Sequence, residues 1–137
     1  MKKISTCKGI LLTIVVVVGV LVVGLIIGLS YQKNKISFTD RQMQISGIYG
    51  KDYNLADIES VTLKDEKPIT TLRTNGFSIG GIKKGHFNVK NDGNCLLFVS
   101  GNGKCIRIKI KSEVIYINLD DDTATMDLYD KLVKIMQ

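Results

Sequence analysis

The segment His86–Leu119, HFNVKNDGNCLLFVSGNGKCIRIKIKSEVIYINL, alternates short apolar runs with clusters of turn residues. Asn, Asp, Gly and Ser occupy the breaks, and these residues have ready access to the backbone angles of tight turns. A spacing of about ten residues per strand is typical of an antiparallel meander, in which consecutive strands pair as hairpins. The segment therefore predicts a mainly β domain. Its four strands are expected at His86–Lys90, Cys95–Val99, Ile106–Ile110 and Val114–Leu119.

A run of three aspartates, Asp120–Asp122, follows the last strand and predicts the start of a helix. An aspartate caps free backbone N–H groups, and its charge favours the positive end of the helix dipole. Calcium binding is the alternative, but the spaced ligands and the glycine of a calcium loop are missing. Apolar residues then recur every three or four positions, which predicts a C-terminal helix at about 121–136 packed on the sheet. This stripe consists of Leu128, Leu132 and Ile135, with Tyr129 and Met136 beside it.

Shorter β elements precede the opening segment. They are expected at Ile36–Phe38, Met43–Ile45, Ile48–Tyr53 and Ile58–Leu63, where apolar patches or alternation occur. Between Leu63 and His86 lies a glycine-rich segment, which we predict to be a long loop.

This predicted loop contains the stretch RTNGFSIGGIKKGHF, Arg73–Phe87, with the only histidine of the chain and no acidic residue. Exposed backbone N–H groups and nearby cations can form a shallow anion site, which is one interpretation. The other is structural: the glycines supply turns and Arg73 fixes the loop by hydrogen bonds. Neither nucleotide-binding glycine motif is present. The candidate anion- or partner-binding residues are Arg73, Asn75, Gly76, Phe77, Lys83, Lys84 and His86.

The order of these elements resembles the bacterial pleckstrin-homology (PH)-like domains of small membrane-attached proteins. The resemblance rests on the R-x-N-G-aromatic segment, the glycine-rich stretch and G-x-F, then LFVS, IYINL and the closing DLYDKL, and it covers Ile48–Met136. It implies a PH-like sandwich or partly open barrel of about seven antiparallel strands, capped by the C-terminal α-helix. It implies no particular ligand, because a shared fold does not transfer one.

The N-terminal part of the chain predicts a membrane-spanning helix. Residues 9–32 contain no Asp, Glu, Lys, Arg or His, and twenty such apolar residues span a hydrocarbon core of about 30 Å. A cleaved signal peptide is the alternative, because the preceding tail is basic and Gly28-Leu29-Ser30 is a small-x-small triplet, although the apolar run is long for one. We expect a basic tail at 1–8, a transmembrane helix at 9–32 that contacts the lipid bilayer, and the β domain at 36–137.

Two glycines in this helix, Gly24 and Gly28, form one G-x-x-x-G motif, which lets two membrane helices approach closely. Helix-mediated self-association is the partner that this motif suggests. Idle or lipid-facing glycines are the alternative, because single matches are common in apolar helices.

The formal net charge of +6 is concentrated beside the membrane segment. Five of the 19 Lys and Arg residues precede Ile36, which leaves fourteen against thirteen Asp and Glu in the β domain. A nucleic-acid partner needs a basic stripe on the folded surface, so none is expected, whereas anionic lipid headgroups suit the flanking lysines. These lysines are Lys2, Lys3, Lys8, Lys33 and Lys35.

The orientation of the membrane protein is not decided by its basic residues, because equal numbers flank the two ends of the span. The cysteines give a weak indication. A hairpin turning at Asn102-Gly103 would hold Cys95 and Cys105 several residues out of register, too far apart for a disulfide. Free thiols favour a reducing compartment, so we expect a single-pass protein of the cell membrane with a cytoplasmic β domain.

No catalytic residue, cofactor or metal site is predicted. General acid–base catalysis by His86 needs a second group within hydrogen-bond reach, and the cysteines lack the spacing of a zinc site. The expected function is that of a non-enzymatic, membrane-anchored module that binds a partner protein or a membrane surface. The alternative is an enzyme or enzyme subunit that uses His86 and the glycine-rich loop on a phosphorylated or lipid substrate. A carboxylate such as Asp65 or Glu66 converging on His86 would favour that alternative.

Overall fold

The structure is a computed structural model that describes residues 2–30 and 35–137. The chain divides into two compact units, residues 1–32 and 33–137. Residues 31 and 32 of the predicted span, and Lys33 of the flanking basic group, lie outside the described residues. The limits expected for the basic tail, the membrane segment and the β domain stay predictions.

The first unit is a single helix, α1, which extends over Lys2–Ser30. Its segment Thr6–Leu29 has a mean hydropathy of 3.4 and is long and apolar enough to cross a membrane. A signal sequence near the N-terminus meets the same criteria.

The second unit contains two β-sheets and a C-terminal helix. The small sheet consists of β1 (Ile36–Phe38), β2 (Gln42–Ile45) and β3 (Asp52–Asn54), in that order. The large sheet has the order β4-β8-β9-β7-β6-β5 and is open, with β4 and β5 at its edges. Its strands are β4 (Ile58–Lys64), β5 (Thr70–Ile79), β6 (Ile82–Val89), β7 (Gly93–Val99), β8 (Cys105–Ile110) and β9 (Glu113–Ile117), and helix α2 extends over Asp122–Met136.

The main core lies on one face of the large sheet, here called the helix-side face. Side chains of a strand alternate between the two faces, so every second residue of β7, β8 and β9 points into this core. The core also includes Met43 and Ile45 of the small sheet and Leu128 and Leu132 of α2. The buried large-sheet residues in it are Ile58, Leu96, Phe98, Ile106, Ile108, Ile110, Ile115 and Ile117.

The opposite face of the large sheet, here called the distal face, carries a second apolar cluster. Its buried members are Phe87, Val89, Cys95, Leu97, Val99, Cys105, Val114 and Tyr116. The segment 65–69, which joins β4 to β5, packs on this face: the Cys105 thiol donates to the Glu66 carbonyl at 3.2 Å. At its other end, the Lys90 N–H donates to the Ile69 carbonyl at 2.9 Å. The segment therefore links the two edges of the open sheet across the distal face.

The predicted C-terminal helix and its acidic start are confirmed. Asp121 is the N-cap, and its carboxylate accepts a hydrogen bond from the Ala124 N–H at 2.7 Å. Asp122 has a different role, because its carboxylate accepts from the Lys104 N–H at 2.8 Å and so holds the β7–β8 loop against the start of α2. The third turn of the helix places Leu132, which is fully buried, in the core.

The predicted meander is wrong between β7 and β8, because β9 lies between these two strands and pairs with β7 in parallel. The loop from β7 to β8 crosses the end of β9, where the buried Asn118 replaces the missing hairpin bonds. The Asn118 side chain accepts from the Ser100 N–H at 2.9 Å and donates to the Ser100 carbonyl at 2.7 Å. A side-chain amide that pairs with a backbone in this way satisfies polar groups that the crossing would leave buried.

Two further expectations need correction. The second unit has nine strands instead of about seven. The strand expected at Ile48–Tyr53 begins only at Asp52, because Gly47, with φ of 111°, starts a turn that the Gly50 N–H closes on the Gly47 carbonyl at 3.0 Å.

The cysteines are free thiols, as expected, but for another reason. Cys95 and Cys105 do not lie on paired strands, since β9 separates β7 from β8. Both are buried, and burial raises the pKa of each thiol to about 11. Thiol reagents react with the thiolate, so neither side chain can report the sidedness of the folded protein.

Candidate functional site

The predicted glycine-rich loop is wrong: the segment is a long hairpin formed by β5 and β6. Two residues, Gly80 and Gly81, connect the strands, with φ of 57° and 81°. Positive φ at both central residues defines the type I′ turn that favours a two-residue hairpin. The strand that was predicted at His86–Lys90 begins earlier in the structure, at Ile82.

The register of the hairpin distributes the seven candidate residues over both faces of the sheet, because residues paired across two antiparallel strands share a face. Arg73 pairs with Phe87, and Ser78 pairs with Lys83, which places Arg73 and Lys83 on the distal face. The other face receives the pairs Asn75 with His86 and Phe77 with Lys84. The candidate residues therefore do not form one site.

A β-bulge brings Arg73 to the same face as Ser78 and Lys83. Residues 73 and 78 differ by an odd number, so a regular strand would direct them to opposite faces. The register shifts between Arg73 and Asn75, which leaves Thr74 as an extra residue on β5. Such bulges re-aim side chains near sheet edges. The cation at position 73 lies on the distal face for this reason.

An open pocket of about 330 Å³ lies on the distal face of the hairpin and contains both cations. The Lys83 ammonium donates a hydrogen bond to the Thr70 hydroxyl at 2.6 Å. Among the described ion pairs of residues 35–137, none involves Arg73 or Lys83. No acidic residue lines the pocket, whose lining is Thr70, Thr71, Leu72, Arg73, Ser78, Lys83 and Phe87. Two cations and several hydroxyl groups are suited to an anionic ligand.

The candidates on the helix-side face have a more apolar environment. Lys84 pairs with Phe77 on β5 and with Phe98 on β7, and burial lowers the pKa of its ammonium. His86 pairs with Asn75 and with Leu96 in the same way. Within residues 35–137, no carboxylate forms an ion pair or hydrogen bond with the His86 side chain.

The two carboxylates named as partners for His86 are engaged elsewhere or do not reach it. Asp65 accepts a hydrogen bond from the Lys104 ammonium at 2.6 Å, which lowers the pKa of the Asp65 carboxyl. Glu66 lies in the segment over the distal face, where its backbone carbonyl accepts from Cys105. Neither of these two carboxylates therefore supplies the second group that proton transfer at His86 would require.

Two glycines of the hairpin serve close packing. Gly76 pairs with Gly85, and a Cβ on Gly76 would overlap the Lys84 carbonyl oxygen. A Cβ on Gly85 would lie 2.5 Å from the Asn75 carbonyl oxygen and 3.1 Å from the ring of Tyr49. These two glycines lie within strands and do not supply turns as expected; the turn of the hairpin is formed by Gly80 and Gly81.

A polar cluster on the distal face was missed by the sequence reasoning. Arg107 donates to Asp92 from Nε at 3.0 Å and from Nη2 at 2.8 Å, and the Tyr116 hydroxyl donates to the same carboxylate. These bonds, led by those from Arg107, hold the pKa of Asp92 below its usual range. Burial raises the pKa of the Tyr116 hydroxyl. In the sequence, Arg107 is one of two basic residues, with Lys109, that alternate with isoleucine in Ile106–Ile110, so it does not stand out from a solvent-facing position.

A larger open pocket, of about 740 Å³, lies between the small sheet and α2. Its charged lining residues are one cation and one anion, Lys35 and Asp52, so it has no preference for either sign. Among the described residues, no group of three or more His, Cys, Asp or Glu is arranged to hold a metal ion. Of these two pockets, the basic pocket of the hairpin is the one whose charged lining residues all have the same sign.

Comparison with known families assigns the chain. A family model described as a bacterial PH domain matches residues 24–130. The chain belongs to this family. The PH fold expected from the sequence is confirmed by this match and by the open, mainly β architecture with its C-terminal helix. Searches of curated proteins and of solved structures gave no match.

Proposed function

We propose that the protein is a non-enzymatic, membrane-anchored binding module whose PH domain recognises an anionic group through the distal face of the β5–β6 hairpin. The observation that carries this proposal is the pair of cations, Arg73 and Lys83, in an open pocket without a carboxylate partner. A cation pair left without internal acids interacts favourably with an external anion.

The apolar helix supports the anchoring part of the proposal. Thr6–Leu29 is long and apolar enough to cross a bilayer, and the sequence has no long linker between this helix and the PH domain. Confinement near a membrane raises the effective concentration of a partner at the same membrane to about the millimolar range. A modest contact at the hairpin is then sufficient for binding. Self-association through Gly24 and Gly28 stays a prediction.

The cytoplasmic orientation also stays a proposal, supported by the free thiols. It can be measured with an added cysteine in the exposed β8–β9 turn, Ser112→Cys, in a Cys7→Ser background. Modification of this residue in intact cells by a membrane-impermeant maleimide would contradict the cytoplasmic orientation.

Catalysis is the less supported function. PH domains are generally binding modules. The isolated environment of His86 also favours binding, because proton transfer needs a partner within hydrogen-bond reach.

The test uses the full chain in phosphatidylcholine nanodiscs, titrated with labelled poly-glutamate and, separately, with vesicles that contain phosphatidylglycerol. The variant is Arg73→Gln/Lys83→Gln. Its matched control, Lys109→Gln/Lys111→Gln, removes the same charge from β8 and its turn. We expect the hairpin variant to weaken binding of at least one anionic probe by about tenfold, or about 1.4 kcal/mol.

The control should change the affinity by less than about twofold, since exposed cations outside the site contribute little. Higher salt should weaken the binding, because exposed charges are screened. Equal losses in the two double variants, or no binding of either probe by the unmodified protein, would rule out the proposed surface.

A further inference from the structure

We infer that the free edge of β5 binds an extended segment of a partner protein as an added β-strand, and that this segment alternates acidic and apolar residues. This inference rests on the proposed function, since it uses the same hairpin, and it specifies the class of ligand and the mode of binding. Strand addition couples backbone hydrogen bonds with side-chain contacts on alternate residues.

The edge of β5 is available over a length that suits strand pairing. β5 is the last strand of the open sheet, and β6 is the one strand within residues 35–137 that pairs with it. The register is interrupted twice near the start of the strand, but it is regular from Asn75 to Ile79. Five regular residues correspond to an average strand. The pairing site is therefore Asn75–Ile79.

Hairpin geometry identifies the backbone groups that point away from β6. Ile79 and Ile82 flank the two-residue turn, so they form a hydrogen-bonded pair. Hydrogen-bonded and non-hydrogen-bonded pairs alternate along an antiparallel ladder. The N–H and carbonyl groups of Gly76 and Ser78 consequently point to the free edge. These are the groups that an added strand would bind.

The side chains beside this edge differ on the two faces. On the helix-side face, the pairing site carries Asn75, the half-buried Phe77 and Ile79, which is 44% exposed. Leu72, 61% exposed, precedes the pairing site on the same strand. On the distal face, Ser78 lies at the edge, Lys83 is opposite it on β6, and Arg73 precedes the pairing site on β5. An added strand would place alternate side chains on these two faces. Apolar residues suit the first face and acidic residues suit the second.

The charge of the hairpin decides between possible occupants. β5 and β6 contain three basic residues and no acid: Arg73, Lys83 and Lys84. A second copy of the chain paired at the same edge would bring these like charges together, which is unfavourable. An anionic lipid headgroup would fill the pocket but would not need the backbone groups of Gly76 and Ser78. An acidic–apolar polypeptide uses the edge, the apolar row and the cations together.

The test measures binding of a nine-residue peptide of alternating Glu and Val to the full chain in phosphatidylcholine nanodiscs. A second peptide carries N-methyl groups on alternate backbone nitrogens, which removes donors from one edge. A third replaces Glu with Lys. We expect the first peptide to bind at least tenfold more tightly than either of the others and to slow hydrogen exchange at Gly76 and Ser78.

The protein variant is Ser78→Pro, which removes one outward N–H and is tolerated best on edge strands. Ser78→Thr is its matched control, because it keeps the N–H and the strand preference. We expect the proline to weaken binding of the Glu–Val peptide at least tenfold and the threonine to change it less than twofold. If the proline variant does not fold, the N-methylated peptide tests the same hydrogen bonds on the unmodified protein.

The outcomes separate this inference from the proposed function. Strand addition is overturned if the N-methylated peptide binds the protein as tightly as the Glu–Val peptide does, or if the proline variant binds the Glu–Val peptide as tightly as the unmodified protein does. Loss of binding in Arg73→Gln/Lys83→Gln would still support the basic surface. Equal binding of the Lys–Val peptide would overturn the acidic occupant. Binding of anionic vesicles without binding of the Glu–Val peptide would identify lipid as the ligand and overturn the inference.

Discussion

The two faces of the large sheet are built from the same strands but are covered in different ways. The helix-side face is packed against the small sheet and α2, and the large-sheet side chains buried there are apolar. The distal face is crossed by the short segment 65–69, and it contains the Asp92–Arg107 pair as well as the basic pocket. Both faces therefore bury apolar side chains, but the distal face also carries polar groups near solvent. The contrast supports the proposal that a ligand binds on the distal face.

The largest effect is expected on the helix-side face. Leu132→Ala removes a fully buried side chain between α2 and the sheet, and it should lower the free energy of unfolding by about 4 kcal/mol. Ile135→Ala, at a position that is 37% exposed on the same helix, should cost less than about 1 kcal/mol. Urea unfolding of the two variants measures the difference. Equal costs would show that α2 does not close this face.

A smaller effect is expected at Gly85, where Tyr49 packs against the backbone and Phe87 packs against the paired Gly76. Gly85→Ala should lower the free energy of unfolding by about 3 kcal/mol. The new Cβ would overlap backbone atoms, and the positive φ would add backbone strain. Gly47 is the matched control, since its φ of 111° is close to the 110° of Gly85 but open space surrounds it.

Gly47→Ala should therefore lower the free energy of unfolding only through the backbone strain of a positive φ, by about 1–2 kcal/mol. Thermal unfolding of both variants separates strain from overlap. If the Gly47 variant is as unstable as the Gly85 variant, the overlap of the new Cβ with the neighbouring strand does not add to the cost of Gly85→Ala.

The smallest of the three effects is expected on the distal face. Asp92→Asn leaves Arg107 without its anion and should cost about 2 kcal/mol near pH 7. The pKa of Asp92 is lowered in the folded state, so its contribution is present above the unfolded value of about 3.9 and is lost as pH falls through the folded pKa.

The unfolding free energies of the unmodified protein and the asparagine variant, measured in urea, should thus differ at pH 7, and the difference should shrink as pH falls below about 3.9 through the folded pKa of Asp92. A difference that persists unchanged at acidic pH would assign the effect to packing rather than to the ion pair.

Strands β7, β8 and β9 could be predicted because each of them buries apolar side chains on both faces of the large sheet, which makes it a short apolar run between turn residues. Local alternation placed β7, β8 and β9 correctly but could not order them, because the order depends on Asn118 replacing hairpin bonds with side-chain bonds. The helix start was predictable because capping is local, and Asp121 caps α2 as expected.

The candidate site was predicted less well than the fold. Glycines concealed the strands of the hairpin, since Gly76 and Gly85 lack the apolar side chains by which strands are recognised. The bulge at Thr74, which decides the face of Arg73, leaves no clear mark in the sequence. Asp92 and Arg107 are fifteen residues apart and meet only across the folded sheet.

The insertion of β9 between β7 and β8 makes the middle of the large sheet depend on the last strand of the chain. A protein shortened before Glu113 would keep β7 and β8 but would lose the strand that joins them. The sheet would then separate into β4–β8 and β5–β6–β7, each with a newly unpaired inner edge, and such edges promote aggregation. Proteolysis or premature termination near residue 112 would therefore remove a central strand of the large sheet instead of an edge strand.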